Sequence, residues 1–285
     1  MNLPELPPEA LRQVVAAALA EDLGRAGDVT TDAVVPPGRR VSGRIVAREP
    51  LIVAGLPVAE EVFRQLDPGV TFLSRAAEGT SVPLAAALAE VSGPAAPILR
   101  GERTALNFLM RMCGIAGATR RCVEEIAGTG AVVLDTRKTA PGLRLLDKYA
   151  VAAGGGTNHR RGLYDAVMIK DTHLAAAHGI AGAVRAALAH GHAASSITVE
   201  VGTPEQLEEA IAAGAGRALL DNMDLQALRT CVQRARGRIV LEASGGLRPG
   251  RLRAVAETGV HALSVGALTH SVKAADVALD LDPAP

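Results

Sequence analysis

An α/β fold in two parts is what this sequence predicts, and three observations predict it. Strand-like apolar runs alternate with helical segments six times after residue 130, short β-rich runs broken by Gly and Pro fill residues 41 to 92, and helical periodicity joins the two regions. At 285 residues and 48% hydrophobic, the chain is long enough to bury one large core or two moderate ones.

The first element is a helix over residues 8 to 23, where Leu11, Val14, Val15 and Leu19 repeat at helical spacing and Gly24 marks the stop. The runs VSGRIVA, PLIVAG, VTFLSRA and LAAALAEVSG then read as strands of a small sheet. A long helix follows, with Leu106, Leu109, Met110 and Cys113 along one stripe and Arg103, Asn107 and Arg111 along another, so the polar stripe must face something wet or charged. AVVLD, DAVMIK, ITVEV, RALLD, RIVLEA and HALSVG come next, each with a helix behind it. These strands stay apolar until their last one or two residues, as strands of a parallel sheet covered on both faces do. A full eight-stranded barrel takes roughly 250 residues, so periodicity leaves both a reduced barrel and an open doubly wound sheet standing.

Lys plus Arg and Asp plus Glu each total 30, so no global field gathers nucleic acid or an anionic membrane around the chain. Two Tyr, three Phe and no Trp argue against stacking platforms for single strands. Neither nucleic acid nor a membrane is an expected partner. Cys113, Cys122 and Cys231 match no zinc or disulfide spacing and read as core thiols in a reducing compartment. With no basic head before an apolar run and no stretch long enough to span a bilayer, a cytoplasmic location is expected.

The chemistry collects at the strand ends. Asp135, Thr136, Arg137 and Lys138 follow the first of the six strands, Lys170 and Asp171 end the second, Glu200 the third, Asp221 and Asn222 the fourth, and Glu242 and Ser244 the fifth. In parallel α/β folds the carboxyl ends of the strands carry the active site, so residues far apart in sequence converge there. Ser244-Gly245-Gly246 and Gly266-Ala267 are glycine turns whose exposed N–H groups suit a phosphate. Gly154-Gly155-Gly156 leads into Asn158-His159-Arg160-Arg161 and reads as a sharp turn at the site mouth. Between 137 and 173 the cations Arg137, Lys138, Arg144, Lys148, Arg160, Arg161 and Lys170 outnumber Asp147, Asp165 and Asp171. A positive cleft for a small, multiply anionic ligand follows. Glu200 and Asp221 suit a Mg²⁺ that binds mainly through water and a substrate diphosphate, or else stabilise a cationic transition state directly.

Each of these residues has a plainer reading. Arg103, Arg144 and Lys148 sit on helices, where solvated charge is the default. His159 suits a cap or turn as well as a ligand. Glu200 can pair with Lys170, and Asp221 can cap the helix beginning near Asp224. None of these readings explains the convergence of all of them on strand ends.

The residues quoted so far resemble quinolinate phosphoribosyltransferase over nearly the whole chain. Glu21-Asp22, Gly27-Asp28-Val29-Thr30-Thr31, Glu102-Arg103-Thr104 and Leu106-Asn107 carry the first part, followed by Asp135-Thr136-Arg137-Lys138-Thr139 with Pro141-Gly142. Asn158-His159-Arg160, Gly162-Leu163, Ile169-Lys170-Asp171, Leu220-Asp221-Asn222, Ser244-Gly245-Gly246 and Ser264-Val265-Gly266-Ala267-Leu268-Thr269 continue it.

The resemblance implies an α/β protein: a reduced α/β barrel, with fewer than eight regular strands, behind an N-terminal α+β open-faced sandwich. Domains of 1–112 and 113–270, with a segment 271–285 packing back on the first, go with it. It also implies a homodimer or larger assembly, with quinolinate and phosphoribosyl pyrophosphate as substrates and Mg²⁺ as cofactor. By the same carry-over Arg137, Lys138, His159, Arg160 and Lys170 surround the quinolinate carboxylates, Thr136 is a further substrate-binding residue, and Arg103 arrives from the partner subunit. Glu200 and Asp221 face the ribose and the Mg²⁺-diphosphate, Lys138, Lys170, Glu200 and Asp221 forming the catalytic set. Ser244, Gly245, Gly246, Val265, Gly266 and Ala267 hold the 5-phosphate. Arg161, where an apolar or aromatic residue is usual, and Thr172, where Asn is usual, depart from the pattern without removing a named ligand. The rivals are a nicotinate-specific transferase, a Schiff-base lyase using Lys170, and a binding protein that has lost turnover.

Overall fold

The computed structural model describes residues 3–282. Helix α1 (Pro8–Leu23) starts with a proline, which gives up no needed hydrogen bond there. It buries Leu11, Val15 and Leu19 and ends at Gly24. In α2 (Val29–Val34) the side chain of Asp28 accepts from the N–H groups of Thr30 and Thr31, so the GDVTT motif is a helix start. Strands β1 (Arg40–Ala47) and β2 (Leu51–Ile52), helix α3 (Leu56–Leu66), and strands β3 (Thr71–Ser74), β4 (Ser81–Val82) and β5 (Ala87–Pro94) follow. Helix α4 (Ala95–Glu125) runs through the boundary expected at 112/113 and buries Leu106, Leu109 and Cys113.

Beyond it, β6 (Val132–Leu134) leads to α5 (Arg144–Ala153), and β7 (Val167–Ile169) to α6 (Asp171–Leu174) and α7 (Gly179–Ala189). Then β8 (Ile197–Val201), α8 (Pro204–Ala212), β9 (Arg217–Asp221), α9 (Leu225–Ala235), β10 (Val240–Ser244), α10 (Leu252–Ala256), β11 (Ala262–Ser264) and α11 (Ala267–His270) alternate. Strand β12 (Val277–Leu281) closes the described chain.

Two compact units divide these elements. One takes the chain up to Arg120, Thr139–Gly155 and the part from Val272 on; the other takes Arg121–Lys138 and Gly156–Ser271. In the first, a four-stranded antiparallel sheet has the order β12-β1-β5-β3. The last strand thus pairs with the first, Gly43 opposite Leu281. Phe63 of α3 stacks on Phe72 of β3 at 6.1 Å, tying that helix to the sheet. This α+β unit stands where the open-faced sandwich is expected.

The second unit settles what periodicity left open. Its six parallel strands run β6-β11-β10-β9-β8-β7. Each strand from β7 to β10 lies beside its successor, and β6, the first of the six in sequence, pairs with β11, the last. A doubly wound sheet reverses its strand order at an internal switch point; here the order is that of a ring, with no ladder between β6 and β7 among the described residues. The unit is a reduced barrel of six strands.

Helix α5 overturns one expectation. Lys148, read as surface charge, is 3% exposed, because α5 also buries Leu146, Asp147, Tyr149, Ala150, Val151 and Ala153 and so keeps almost no solvent face. Arg144 is half-buried and donates to Thr139 Oγ1. The three cysteines are buried and unpaired, and burial pushes the Cys113 thiol up to about 12 and the Cys122 thiol up to about 11.

Candidate active site

The carboxyl ends of the barrel strands open into a cleft of about 500 Å³, within the range of small-molecule sites. After β6 the chain needs anchoring, because Thr136, Arg137 and Lys138 must be held at the cleft by a loop. Asp135, wholly buried, supplies the anchor: Oδ1 accepts from the His159 N–H at 2.8 Å and Oδ2 from the Asn158 side chain at 2.6 Å. Lys138 N–H donates to Thr136 Oγ1, and Thr269 Oγ1 donates to the Lys138 carbonyl. The loop is therefore fixed at both ends, and Arg137 and Lys138 line the cleft.

From the next strands come Lys170, Glu200 and Asp221. Lys170 Nζ lies 3.6 Å from Glu200 Oε2, so the plainer reading of those two as partners is realised inside the cleft itself. Asp221 takes a hydrogen bond from Asn222 Nδ2 at 2.7 Å, whereas the cap of α9 is Asp224, whose carboxylate accepts from the Ala227 N–H. Asp221 is thus left facing the cleft. In the β9–β10 register it stands opposite Ser244, which opens the glycine turn. Gly245 has φ +104°, and a Cβ there would lie 2.2 Å from Asn222 Oδ1, so only glycine fits between the two loops. Ser244, Gly245, Gly246, Gly266 and Ala267 line the same cleft.

Cations crowd each other at this mouth. Burial, and then the neighbouring Arg137 guanidinium, hold Arg160 below the ordinary arginine range. Like charges brought together in a half-buried site are stabilised by an anion between them. Arg160 also donates to the Ala166 carbonyl at 3.3 Å, which holds its head group in place.

Of the residues expected in this cleft, one lies elsewhere among the described residues. Val265 is wholly buried and spends its N–H on the Leu134 carbonyl, continuing the barrel ladder. Arg103, expected to serve a partner subunit, is exposed on α4, 3.9 Å from Glu102. Gly154 and Gly155 terminate α5. Arg161 and Thr172 are exposed, their N–H groups donating to Asp165 and Asp171.

Sequence reasoning passed over Arg248 and His270, which also line the cleft, and placed Glu242 at a strand end without giving it a role. Glu242 carried a signal: it is an acid two residues before Ser244 in an apolar strand, and so shares a face with it. Arg248 and His270 follow glycine turns at offsets that no motif marks.

A six-stranded barrel presenting paired cations, two carboxylates and glycine turns at its strand ends defines an α/β-barrel enzyme acting on small anionic substrates. The profile of the quinolinate phosphoribosyl transferase N-terminal domain matches residues 28–113 and that of its C-terminal domain residues 115–280, and the chain belongs to this family. It is similar to the Mycobacterium leprae nicotinate-nucleotide pyrophosphorylase (carboxylating), at 43% identity over 96% of this chain and 98% of that one. The chloroplastic protein of the same name from Arabidopsis thaliana is 40% identical over 98% of this chain and 85% of its own. The structure of the Francisella tularensis nicotinate-nucleotide pyrophosphorylase superposes with a TM-score of 0.92 at 38% identity, covering 98% of both chains.

Proposed function

We propose that this chain transfers the phosphoribosyl group of phosphoribosyl pyrophosphate to quinolinate and decarboxylates the product, giving nicotinate mononucleotide, diphosphate and carbon dioxide for de novo NAD synthesis. The observation that carries the reading is the Arg137–Arg160 pair at a barrel mouth that also holds Lys138, Lys170 and two glycine turns. A pyridine with adjacent carboxylates matches paired guanidiniums, whereas a monocarboxylate leaves cations without a counter-charge.

In the first step the pyridine nitrogen lone pair forms a bond to ribose C1 while the C1–oxygen bond breaks and the electrons leave with diphosphate. Arg137, Lys138 and Arg160 orient the ring, and Glu200 and Asp221 face the positive charge that grows on the ribose. In the second step the bond from ring C2 to its carboxylate breaks, the electron pair is drawn toward the now quaternised nitrogen, and C2 takes a proton. Backbone N–H groups of Ser244, Gly245, Gly246, Gly266 and Ala267 are the proposed 5-phosphate contacts.

Among the described residues no group of three or more His, Cys, Asp or Glu could hold a metal ion. Two carboxylates beside a phosphate cradle do fit Mg²⁺, which takes one or two carboxylates and completes its shell with water and phosphate oxygens. Glu200 and Asp221 would hold it, and it would neutralise the departing diphosphate.

We further propose a homodimer or larger assembly in which Arg103 completes the neighbouring subunit's site, supported by its exposure on α4. A cytoplasmic location accords with three unpaired cysteines. Among the described residues no helix is long and apolar enough to cross a membrane.

The test supplies quinolinate, phosphoribosyl pyrophosphate and Mg²⁺ and measures carbon dioxide, with nicotinate in parallel. Release with quinolinate and no turnover of nicotinate is the expected result; turnover of nicotinate alone overturns the reading.

A further inference from the structure

Beneath the cationic mouth lies a wholly buried carboxylate. Glu242 projects from β10 with no solvent exposure, one oxygen accepting from Ser264 Oγ and the other 3.2 Å from His159 Nε2. An isolated buried charge costs several kcal/mol, so a carboxylate retained here calls for a task. Burial alone pushes its carboxyl up, yet hydrogen bonds from His159 and Ser264, with Arg217 nearby, hold it below the ordinary glutamate range.

The task shows in how His159 is used. Its Nδ1 accepts the Arg160 backbone N–H at 2.7 Å, so Nδ1 carries no proton. The ring proton therefore sits on Nε2 and is donated to Glu242. The His159 backbone N–H goes to Asp135. Both ring nitrogens and the backbone N–H of His159 are thus engaged within the protein.

We propose that Glu242 and His159 are positioning residues: the buried carboxylate selects the Nε2–H tautomer, and that tautomer presents the acceptor which fixes the backbone of Arg160. The opposite tautomer would set an Nδ1–H against the Arg160 N–H, donor facing donor, and release the segment that carries the guanidinium. Ser264 completes the device by taking the second oxygen of Glu242. The dependence on substrate follows from the proposed function, in which Arg160 grips the dicarboxylate; the tautomer does not depend on that reading.

Two measurements test it. In the ligand-free protein at neutral pH, ¹⁵N–¹H correlation of the His159 ring, assigned by through-bond correlation to the His159 backbone, should show a pyrrole-type Nε2 and a pyridine-type Nδ1. A protonated Nδ1 overturns the inference, and this measurement needs only the unaltered protein, so it stands even if a variant fails to fold. In kinetics, Glu242→Ala should raise KM for quinolinate about tenfold or more while KM for phosphoribosyl pyrophosphate stays within about twofold, and Glu242→Gln, which keeps a hydrogen-bonding group for each neighbour, should recover most of the loss. Equal rises in both KM values, or a Gln variant as impaired as Ala, overturn it. If the unaltered enzyme does not turn over quinolinate, the functional reading fails while the tautomer result stands.

Discussion

Asp147 accepts two hydrogen bonds from Arg111, each 2.8 Å, and a third from the Ala140 N–H at 3.2 Å, with no solvent exposure of its own. Arg111 keeps 26% of its side-chain surface in water. The two halves of this ion pair should therefore respond differently to truncation. Arg111→Met leaves a carboxylate in the interior with the Ala140 N–H as its remaining backbone donor, and breaking a buried pair in this way costs about 3–5 kcal/mol. Asp147→Asn leaves a guanidinium that reaches solvent and an amide that still accepts, so the cost falls to about 2 kcal/mol. At roughly 2–4 °C per kcal/mol for a chain approaching this size, Arg111→Met lowers Tm by about 10 °C and Asp147→Asn by about 5 °C. The double variant Arg111→Met/Asp147→Leu removes both charges together and recovers at least half of the larger loss. Urea midpoints and thermal melts followed by circular dichroism measure all three. Single variants that both lie within about 0.5 kcal/mol of the parent, or a double variant that is simply additive, refute the reasoning.

Glu242 sets an acid limb: its folded pKa lies below the ordinary glutamate range, so its stabilisation is complete above the unfolded pKa and is lost as pH falls through the folded one. Thermal melts from pH 6 downward should therefore fall more steeply below about pH 4.5 for the parent than for Glu242→Gln, and parallel curves disprove the assignment. Gly114→Ala would place a Cβ 2.3 Å from the Lys273 carbonyl oxygen. A loss of about 2 kcal/mol by urea denaturation is expected, against about 1 kcal/mol for Gly128→Ala, whose positive φ meets open space. Glu200→Gln should lower kcat about a hundredfold with little change in KM for quinolinate, and chelation should stop turnover until Mg²⁺ is restored; full activity in chelator rejects the metal.

How far the sequence reaches depends on which physical quantity each feature expresses. Strand type is written in local composition, which is why all six βα units could be read from apolar runs. Strand order is a matter of which edges meet, and no local pattern encodes it; the pairing of Ala262 with Val132 makes the sheet a barrel, and it joins residues 130 positions apart. The strand-end rule carried Lys138, Lys170, Glu200 and Asp221 to one cleft because it is geometric and indifferent to sequence distance.

The same rule gave no help where a neighbour's partner decides the role. Val265 sits next to a glycine of the cleft, yet its N–H completes a ladder, so adjacency in sequence does not make it a phosphate donor. Lys148 looks like any helix charge until α5 is seen to bury almost every face. For His159 residue type leaves a ligand and a cap or turn equally open, and only the fold shows its two ring nitrogens beside Arg160 and Glu242. A cationic pocket is thus built in two tiers, guanidiniums above and a buried acid below. The sequence places Glu242 at a strand end but not its role, because it acts on other residues of the protein, whose positions only the fold reveals.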